Sequence, residues 1–429
     1  MKTFNFDLYP RVYKADERAT VSLDIGDMKI RSTPEIRISG MEIYTLPHTR
    51  KHRIDEEERN PYYPMKQASS GVYTFDFDFV GEQKYSVTVR IGDEEYGRAY
   101  VYSLGADLYG LMPLKGDTHL HTSRSDGEGT PTQVSLGYRA SGFDFIAITD
   151  HHKFAPSKEA RDVFLPLTDE FRVYLGEEVH NHDMGYFHII NFGGSYSVND
   201  IIEAENSVAD AEVDEILATR DFDGCADPYE CAYRIFVSEN IRRSGGVSIL
   251  AHPFWECYGE YNMQTRDLVY LLKNNCFDAF EVIAGCDADG NGNNLQMALL
   301  GDLRAEGVRT PIVGSSDAHA TRLRYDWDKF NLQFTIVFAK NIDEVKEAIL
   351  DQRSVAVRRD SDVDFFVYGD FRLSKYARFL MNEYFPRYTR LCKEHSEYLS
   401  MAIEDEGRFN ALRSFEKKLV DFKHTFFGF

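Results

Sequence analysis

The chain has 429 residues, 43% hydrophobic and 28% charged, which is a globular composition and too long for one typical domain. Its 49 Lys+Arg against 70 Asp+Glu leave a formal charge of −21, which argues against a binder of long nucleic acid. No apolar run approaches the roughly 18 residues that span a bilayer, and no basic-then-apolar leader opens the chain.

Residues 1–111 are predicted to form half-buried antiparallel strands. Tyr73, Phe75, Phe77 and Phe79 alternate with Thr74, Asp76 and Asp78, and further alternating runs follow after a turn at Gly81-Glu82. A small β-sandwich without chemistry of its own is expected. From about residue 112 to 360 the pattern becomes apolar strands alternating with helices. Strands are predicted at 145–148, 173–175, 187–190, 247–250, 280–283 and 311–313, and a helix at 233–243 stops at Gly245-Gly246. Such alternation argues for an α/β region with a parallel sheet, open or closed into a barrel. Residues 361–429 read as a helical extension. Pro386 should interrupt it, and Phe409, Leu412, Phe415, Leu419 and Phe422 form one apolar packing stripe.

The chemistry lies in the middle region, where nine of the 13 histidines fall between His119 and His319. His119 and His121 stand two apart on an extended segment, so both imidazoles share a face and can reach one ion. Asp150-His151-His152, Glu178, His252 and Asp317-Ala318-His319 each follow a predicted strand. Active sites of α/β folds form at such strand ends. A packed, hydrogen-bonded ring is the ordinary explanation of any one histidine. Five strand ends delivering ligands to one rim instead point to a multinuclear metal site.

At these residues the chain resembles the PHP (polymerase and histidinol phosphatase) superfamily of metal-dependent phosphoesterases. The matching motifs are His119-Leu-His121-Thr, Ser125-Asp126-Gly127, Thr149-Asp150-His151, Gly176-Glu177-Glu178, Ala251-His252-Pro253 and Ser316-Asp317-Ala318-His319. The resemblance implies a distorted seven-fold (β/α) barrel holding up to three divalent ions. By position, His119, His121, Glu178 and Asp317 would hold the first. Glu178 would bridge to a second ion, shared with His188 and His252. Asp126, His151 and His319 would hold the third. His180 or His182 is the alternative to His188, and Glu177 the alternative to Glu178. Many relatives carry Asn where this chain has His152, which is expected to face substrate or support a ligand. Asp150 is expected to orient a ligand from behind.

The expected activity is hydrolysis of a small phosphate monoester or diester, such as a nucleotide, by a metal-bridging hydroxide. Glu178 and Asp317 are the catalytic carboxylates, with His152, Arg124 and Arg322 facing substrate. Lys153 is a further candidate phosphate clamp, although each cation is as readily a solvated surface residue. Two other readings keep the same residues: a carboxyl ester or amide hydrolase, and a non-catalytic metal-binding scaffold. Nitrogen and oxygen ligands suit Zn, Mn or Fe without ranking them. Six irregularly spaced cysteines without a C-x-x-C pair read as free thiols, which with the missing leader implies a cytoplasmic protein acting away from membranes. Residues 287–292 begin like an EF-hand calcium loop, but the twelfth position is Ala298, so that loop is not expected. Asn291, Asn293 and Asn294 are candidate substrate contacts on that rim, as is Trp255. Cys225 and Cys231 are expected to be structural, and residues 197–230 a solvated helical insertion, alternatively a lid.

Overall fold

A computed structural model of the chain describes residues 6–42, 61–180, 188–204, 208–257, 259–285, 291–321, 330–361 and 364–429. The chain divides into two compact units. The first holds Met1–Leu111 with Phe379–Tyr384 and Glu416–Phe429. Its strands are β1 (Asp7–Tyr9), β2 (Val12–Lys14), β3 (Arg18–Asp24), β4 (Pro34–Gly40), β5 (Tyr63–Pro64), β6 (Lys66–Ser69), β7 (Val72–Asp78), β8 (Gln83–Ile91) and β9 (Glu94–Leu104). They form two sheets, ordered β1-β3-β7-β6 and β2-β9-β8-β4-β5, antiparallel apart from the parallel β2–β9 pair. The predicted alternation is visible in β4 and β8. Every second side chain, such as Ile36, Ile38, Tyr85, Val87 and Val89, enters one core with Val21, Leu23 and Val101 from the neighbouring strands.

The second unit holds Met112–Arg378 and Phe385–Phe415. Its strands continue as β10 (Met112–Asp117), β11 (Phe145–Ala147), β12 (Arg172–Tyr174), β13 (Gly176–Val179), β14 (Ile189–Phe192), β15 (Val247–Leu250) and the short pair β16 (Glu256–Cys257) and β17 (Glu260–Tyr261). Then come β18 (Ala279–Ile283), β19 (Ile312–Gly314), β20 (Gln333–Ala339), β21 (Ser354–Arg359) and β22 (Phe365–Tyr368). The two main sheets run β12-β11-β10-β20-β21-β22 and β13-β14-β15-β18-β19.

The expected parallel sheet is corrected here: both sheets are mixed. The β10–β11, β15–β18 and β18–β19 pairs are parallel, each joined through a helix. Their crossover helices include Pro131–Ala140, Thr265–Lys273 and Asn291–Ala305. The link from β21 to β22 is too short for a crossover, so those strands must be antiparallel. The β13–β14, β14–β15 and β20–β21 pairs are antiparallel as well.

Strands β11, β15, β18 and β20 are buried along their whole length. One cluster including Leu114, Phe145, Phe192, Ile249, Val313 and Val337 draws on both sheets. Gly116 makes room for this packing, because a Cβ there would lie 2.0 Å from the Phe145 ring. Beyond the ladders, parallel bridges His151↔Glu178 and Leu120↔Ala318 join the two sheets at their strand ends.

The C-terminal residues are helical, with Pro386 at the start of Phe385–Glu404; of the predicted stripe Leu412, Phe415 and Leu419 are buried and Phe422 is half-buried, whereas Phe409 is exposed. They do not form a third body, since the tail is divided between the two units. Among the described residues no helix is long and apolar enough to cross a membrane.

Candidate metal centre

Just beyond β10, His119 and His121 are buried with their Nε2 atoms 3.2 Å apart. Backbone anchors set this geometry. The His119 N–H donates to Asp117 Oδ1, the Leu120 N–H to Thr149 Oγ1 and the His121 N–H to Ala318 O. Asp317 enters from the end of β19 on a left-handed backbone, φ +48°, with Oδ1 2.9 Å from His121 Nε2 and 3.2 Å from His119 Nε2. That turn needs a glycine opposite it, because a Cβ on Gly285 would lie 1.7 Å from Ser316 O. Asp117 holds the turn from below through Ser316 Oγ and the Tyr138 hydroxyl, and burial pushes its carboxyl up to about 7.

Glu178, at the end of β13, is the hub. Its Oε2 lies 2.7 Å from His151 Nδ1 and 3.5 Å from Nε2 of both His119 and His121. Its Oε1 lies 2.8 Å from His188 Nδ1 and 3.5 Å from His252 Nε2. Both oxygens are buried, and neither receives a hydrogen bond of acceptable geometry. Asp126 Oδ2 stands 3.4 Å from His151 Nε2 and 3.3 Å from His319 Nε2. The unpartnered His121 Nδ1 turns toward the same carboxylate, 3.9 Å away. Donor atoms close enough to share an ion fall into groups that include His119, His121 and Asp317, then Glu178, His188 and His252, then His121, Asp126, His151 and His319.

Without ions the carboxylates and imidazoles neutralise one another. Burial pushes Glu178 up, but His188, His151 and His119 outweigh it and hold the carboxyl well below its usual range. Burial would lower His151, yet Glu178 and Asp126 raise it to about 10. Burial wins at His188, lowered to about 3, and at His121, lowered to about 4 with help from His151 and His319. Burial and the attraction of opposite charges thus compete at each of these groups.

Period two along β13 separates the adjacent glutamates. Glu177 faces the other way, accepting from Asn191, Ser197, Val198 N and Asn199. His188 joins Glu178 and His252, while His180 joins Glu178 and His151, with His180 Nε2 2.7 Å from His151 Nδ1. His182 lies outside the described residues. Glu281 is the residue the sequence reading missed. Wholly buried in β18, it places Oε1 3.1 Å from His119 Nδ1 and accepts the His252 N–H at Oε2. The available signal was a single acid inside the otherwise apolar run 279–283.

The expected substrate-facing groups are more scattered. Arg124 is exposed and bidentate with Glu159, at 2.8 and 3.0 Å, and Lys153 donates to the Arg124 carbonyl. His152, with φ +57°, lies with its ring centroid 4.4 Å from that of His180. Arg124, His152 and Lys153 share a cleft of about 490 Å³. Arg322 lies outside the described residues, as does most of the calcium-loop-like run 287–292. Asn293 is corrected as a substrate contact: it is buried and closes both polar groups of the Ala284 backbone. Asp150 acts behind the site, gathering Thr122 and Ser125 so that the loop delivers Asp126. Trp255 is half-buried, its ring 5.6 Å from those of His188 and His252. Cys225 donates to Asp267, and burial pushes its thiol up to about 11, a poor setting for a nucleophile.

No family model and no curated protein matches the chain. Several solved structures are similar to it, among them these three. One is a two-domain protein from Bacteroides vulgatus containing a predicted PHP-like metal-dependent phosphoesterase, 21% identical, with a TM-score of 0.39 over 58% of this chain. The match spans 66% of that protein, just under two thirds of its length. Another, from Bifidobacterium adolescentis, is provisionally named a metal-dependent phosphoesterase, 19% identical, with a TM-score of 0.35 over 55% of this chain and 95% of that one. The third is an amidohydrolase from Chromobacterium violaceum with bound sulfate and no metal, 18% identical, with a TM-score of 0.32 over 48% and 87%.

Proposed function

We propose that the second unit is a metal-dependent phosphoesterase, its two sheets forming a distorted seven-fold (β/α) barrel around up to three divalent ions. One observation carries the reading. Glu178 buries two oxygens without a hydrogen bond of acceptable geometry at the meeting point of six imidazoles, an arrangement suited to bound cations. The nitrogen and oxygen donor set fits Zn, Mn or Fe. His119, His121, Glu178 and Asp317 would hold one ion, Glu178, His188 and His252 a second, and Asp126, His151 and His319 a third.

Bound there, the ions would supply a water acidified toward neutrality and positive charge opposite an anionic ester. The chain's own residues do the positioning. Glu281 takes the Nδ1 side of His119, leaving Nε2 directed at Glu178 and Asp317. Asp150 and Asp117 hold the two loops that carry Asp126 and Asp317. Three carboxylates against three divalent ions would leave the pocket positive, which suits a small phosphate monoester or diester such as a nucleotide.

The test loads the protein separately with Zn, Mn and Fe and offers p-nitrophenyl phosphate, its diester and p-nitrophenyl acetate. Hydrolysis of a phosphate ester supports the proposal. Cleavage of the acetate alone would replace it with a carboxyl ester hydrolase. Bound metal without turnover on any substrate would leave a scaffold.

A further inference from the structure

We propose that Glu177 and Asn199 form a clamp that positions the metal-facing end of β13 and makes the start of the 197–230 insertion part of the metal centre. The inference rests on the metal-site reading above. It concerns two residues that point away from the ions.

Asn199 is buried and opens the short helix Asn199–Glu203. Its side-chain amide touches two places on β13 and the residue that follows it. Nδ2 donates to Glu177 Oε2 at 2.9 Å and to the Glu178 carbonyl at 3.1 Å, while Oδ1 accepts the His180 N–H at 3.1 Å. One side chain therefore grips the backbone on both sides of Val179, between the two residues whose side chains turn toward the ions. Glu177 anchors the other end of the grip. Its Oε1 accepts from Asn191 Nδ2 and the Val198 N–H, and its Oε2 accepts from Ser197 Oγ as well as Asn199. Four donors saturate a carboxylate that is wholly buried, so it has no capacity left for a cation.

The strand period ties the two sides together. Glu177 and Glu178 project from opposite faces of one backbone, and Asn199 cannot leave without freeing the Glu178 carbonyl and the His180 amide. Groups that hold a ligand's geometry from behind typically govern metal affinity by about 10–100-fold. The coupling is also reciprocal: if the clamp favours metal, bound metal must favour the clamp. Residues 198–203 should thus become more ordered when ions bind, although none of them is a ligand.

The experiment measures Mn²⁺ affinity by calorimetry and amide hydrogen exchange of residues 198–203 with and without Mn²⁺, on the full chain. Wild type should gain protection there on adding Mn²⁺. Asn199→Ala and Glu177→Gln should each weaken Mn²⁺ binding about tenfold or more. Asn199→Asp should do the same, and adding Glu177→Gln to it should recover part of the loss. The amide then sits at 177 and the carboxylate at 199, restoring their hydrogen bond with its polarity reversed. A clamp that served stability alone would lower the melting temperature without this recovery of affinity. Unchanged affinity in all variants, or no change in wild-type exchange, would overturn the proposal. The exchange measurement decides it even if the variants do not fold. A wild type that binds none of Mn²⁺, Zn²⁺ and Fe²⁺ would sink both the clamp and the phosphoesterase reading, and one that binds only Zn²⁺ or Fe²⁺ puts that ion in place of Mn²⁺ in every measurement. Clamp effects without ester hydrolysis would sink the latter alone.

Discussion

The second unit contains two buried polar clusters within reach of the same strands, and they are built in opposite ways. Behind β10 and β11, Arg139 is fully buried, and every guanidinium nitrogen has an acceptor. Nε donates to His395, Nη1 to the Phe143 carbonyl and Asp144, and Nη2 to the Tyr388 hydroxyl. Tyr388 in turn donates to Asp144 at 2.6 Å, and the Lys115 N–H takes the other Asp144 oxygen. The Arg139 guanidinium and the Asp144 carboxylate are thus both fully engaged. At the opposite ends of the strands, Glu178 has no hydrogen bond on either oxygen, and His121 Nδ1 has none. A buried cluster that satisfies itself ties elements together, whereas one with unused lone pairs facing inward is arranged for something else to enter.

If that distinction holds, the two clusters should fail differently. Arg139→Met removes the cation and leaves Asp144 buried without its charge partner. The expected cost is about 3–5 kcal/mol, a large share of the roughly 5–15 kcal/mol that stabilises a domain. Urea unfolding of the metal-free protein would measure it. Metal bound per folded molecule should stay at the wild-type value, and a parallel loss of metal would erase the contrast. Glu178→Gln is the mirror experiment. It should reduce hydrolysis roughly 100-fold or more and release metal. Its urea midpoint without metal should move far less than that of Arg139→Met. A Glu178→Gln variant that unfolds as readily as Arg139→Met would mean that the rim, too, is mainly structural.

Gly285→Ala probes the same contrast through the backbone. The added Cβ would collide with the Ser316 carbonyl at 1.7 Å, so the turn carrying Asp317 must shift. Metal affinity should fall about tenfold, as when a ligand loses its support. Calorimetric titration would detect this, and wild-type affinity would show that the rim tolerates movement that close packing forbids elsewhere.

Which parts of this were legible in advance follows from what local pattern encodes. The H-x-H and D-x-H pairs at strand ends were readable because two-residue spacing puts both side chains on one face. The same period shows that only one of Glu177 and Glu178 can face the site. It does not say which, because that depends on the register with β14. Glu281 escaped because one acid in a buried strand is informative only once His119 is known to lie beside it. The mixed strand directions escaped for a related reason. Apolar runs mark strands but not their direction: a short link forces an antiparallel pair, as at β21–β22, but the long helical link from β14 to β15 also returns antiparallel. The division of the tail between two units is likewise a long-range outcome that a helical stripe cannot specify.

Arg124 offers the smallest expected effect and the finest test of the comparison. Its position beside the Ser125-Asp126-Gly127 motif made it a candidate phosphate clamp, and it lines the cleft next to His152. Its guanidinium is nevertheless exposed and committed to Glu159 through two parallel hydrogen bonds, which cancel its charge where a phosphate would feel it. By the rule that separates the two buried clusters, a satisfied group is not waiting for a ligand. Exposed pairs also contribute little to stability, so Arg124→Ala should not move the melting temperature measurably. The KM for p-nitrophenyl phosphate should rise by no more than about threefold with kcat unchanged, the sign of a small loss in uniform binding. A much larger rise in KM would show that the guanidinium leaves Glu159 for substrate, and hydrogen-bond satisfaction in the free protein would then be a poor guide to which surface cations take part.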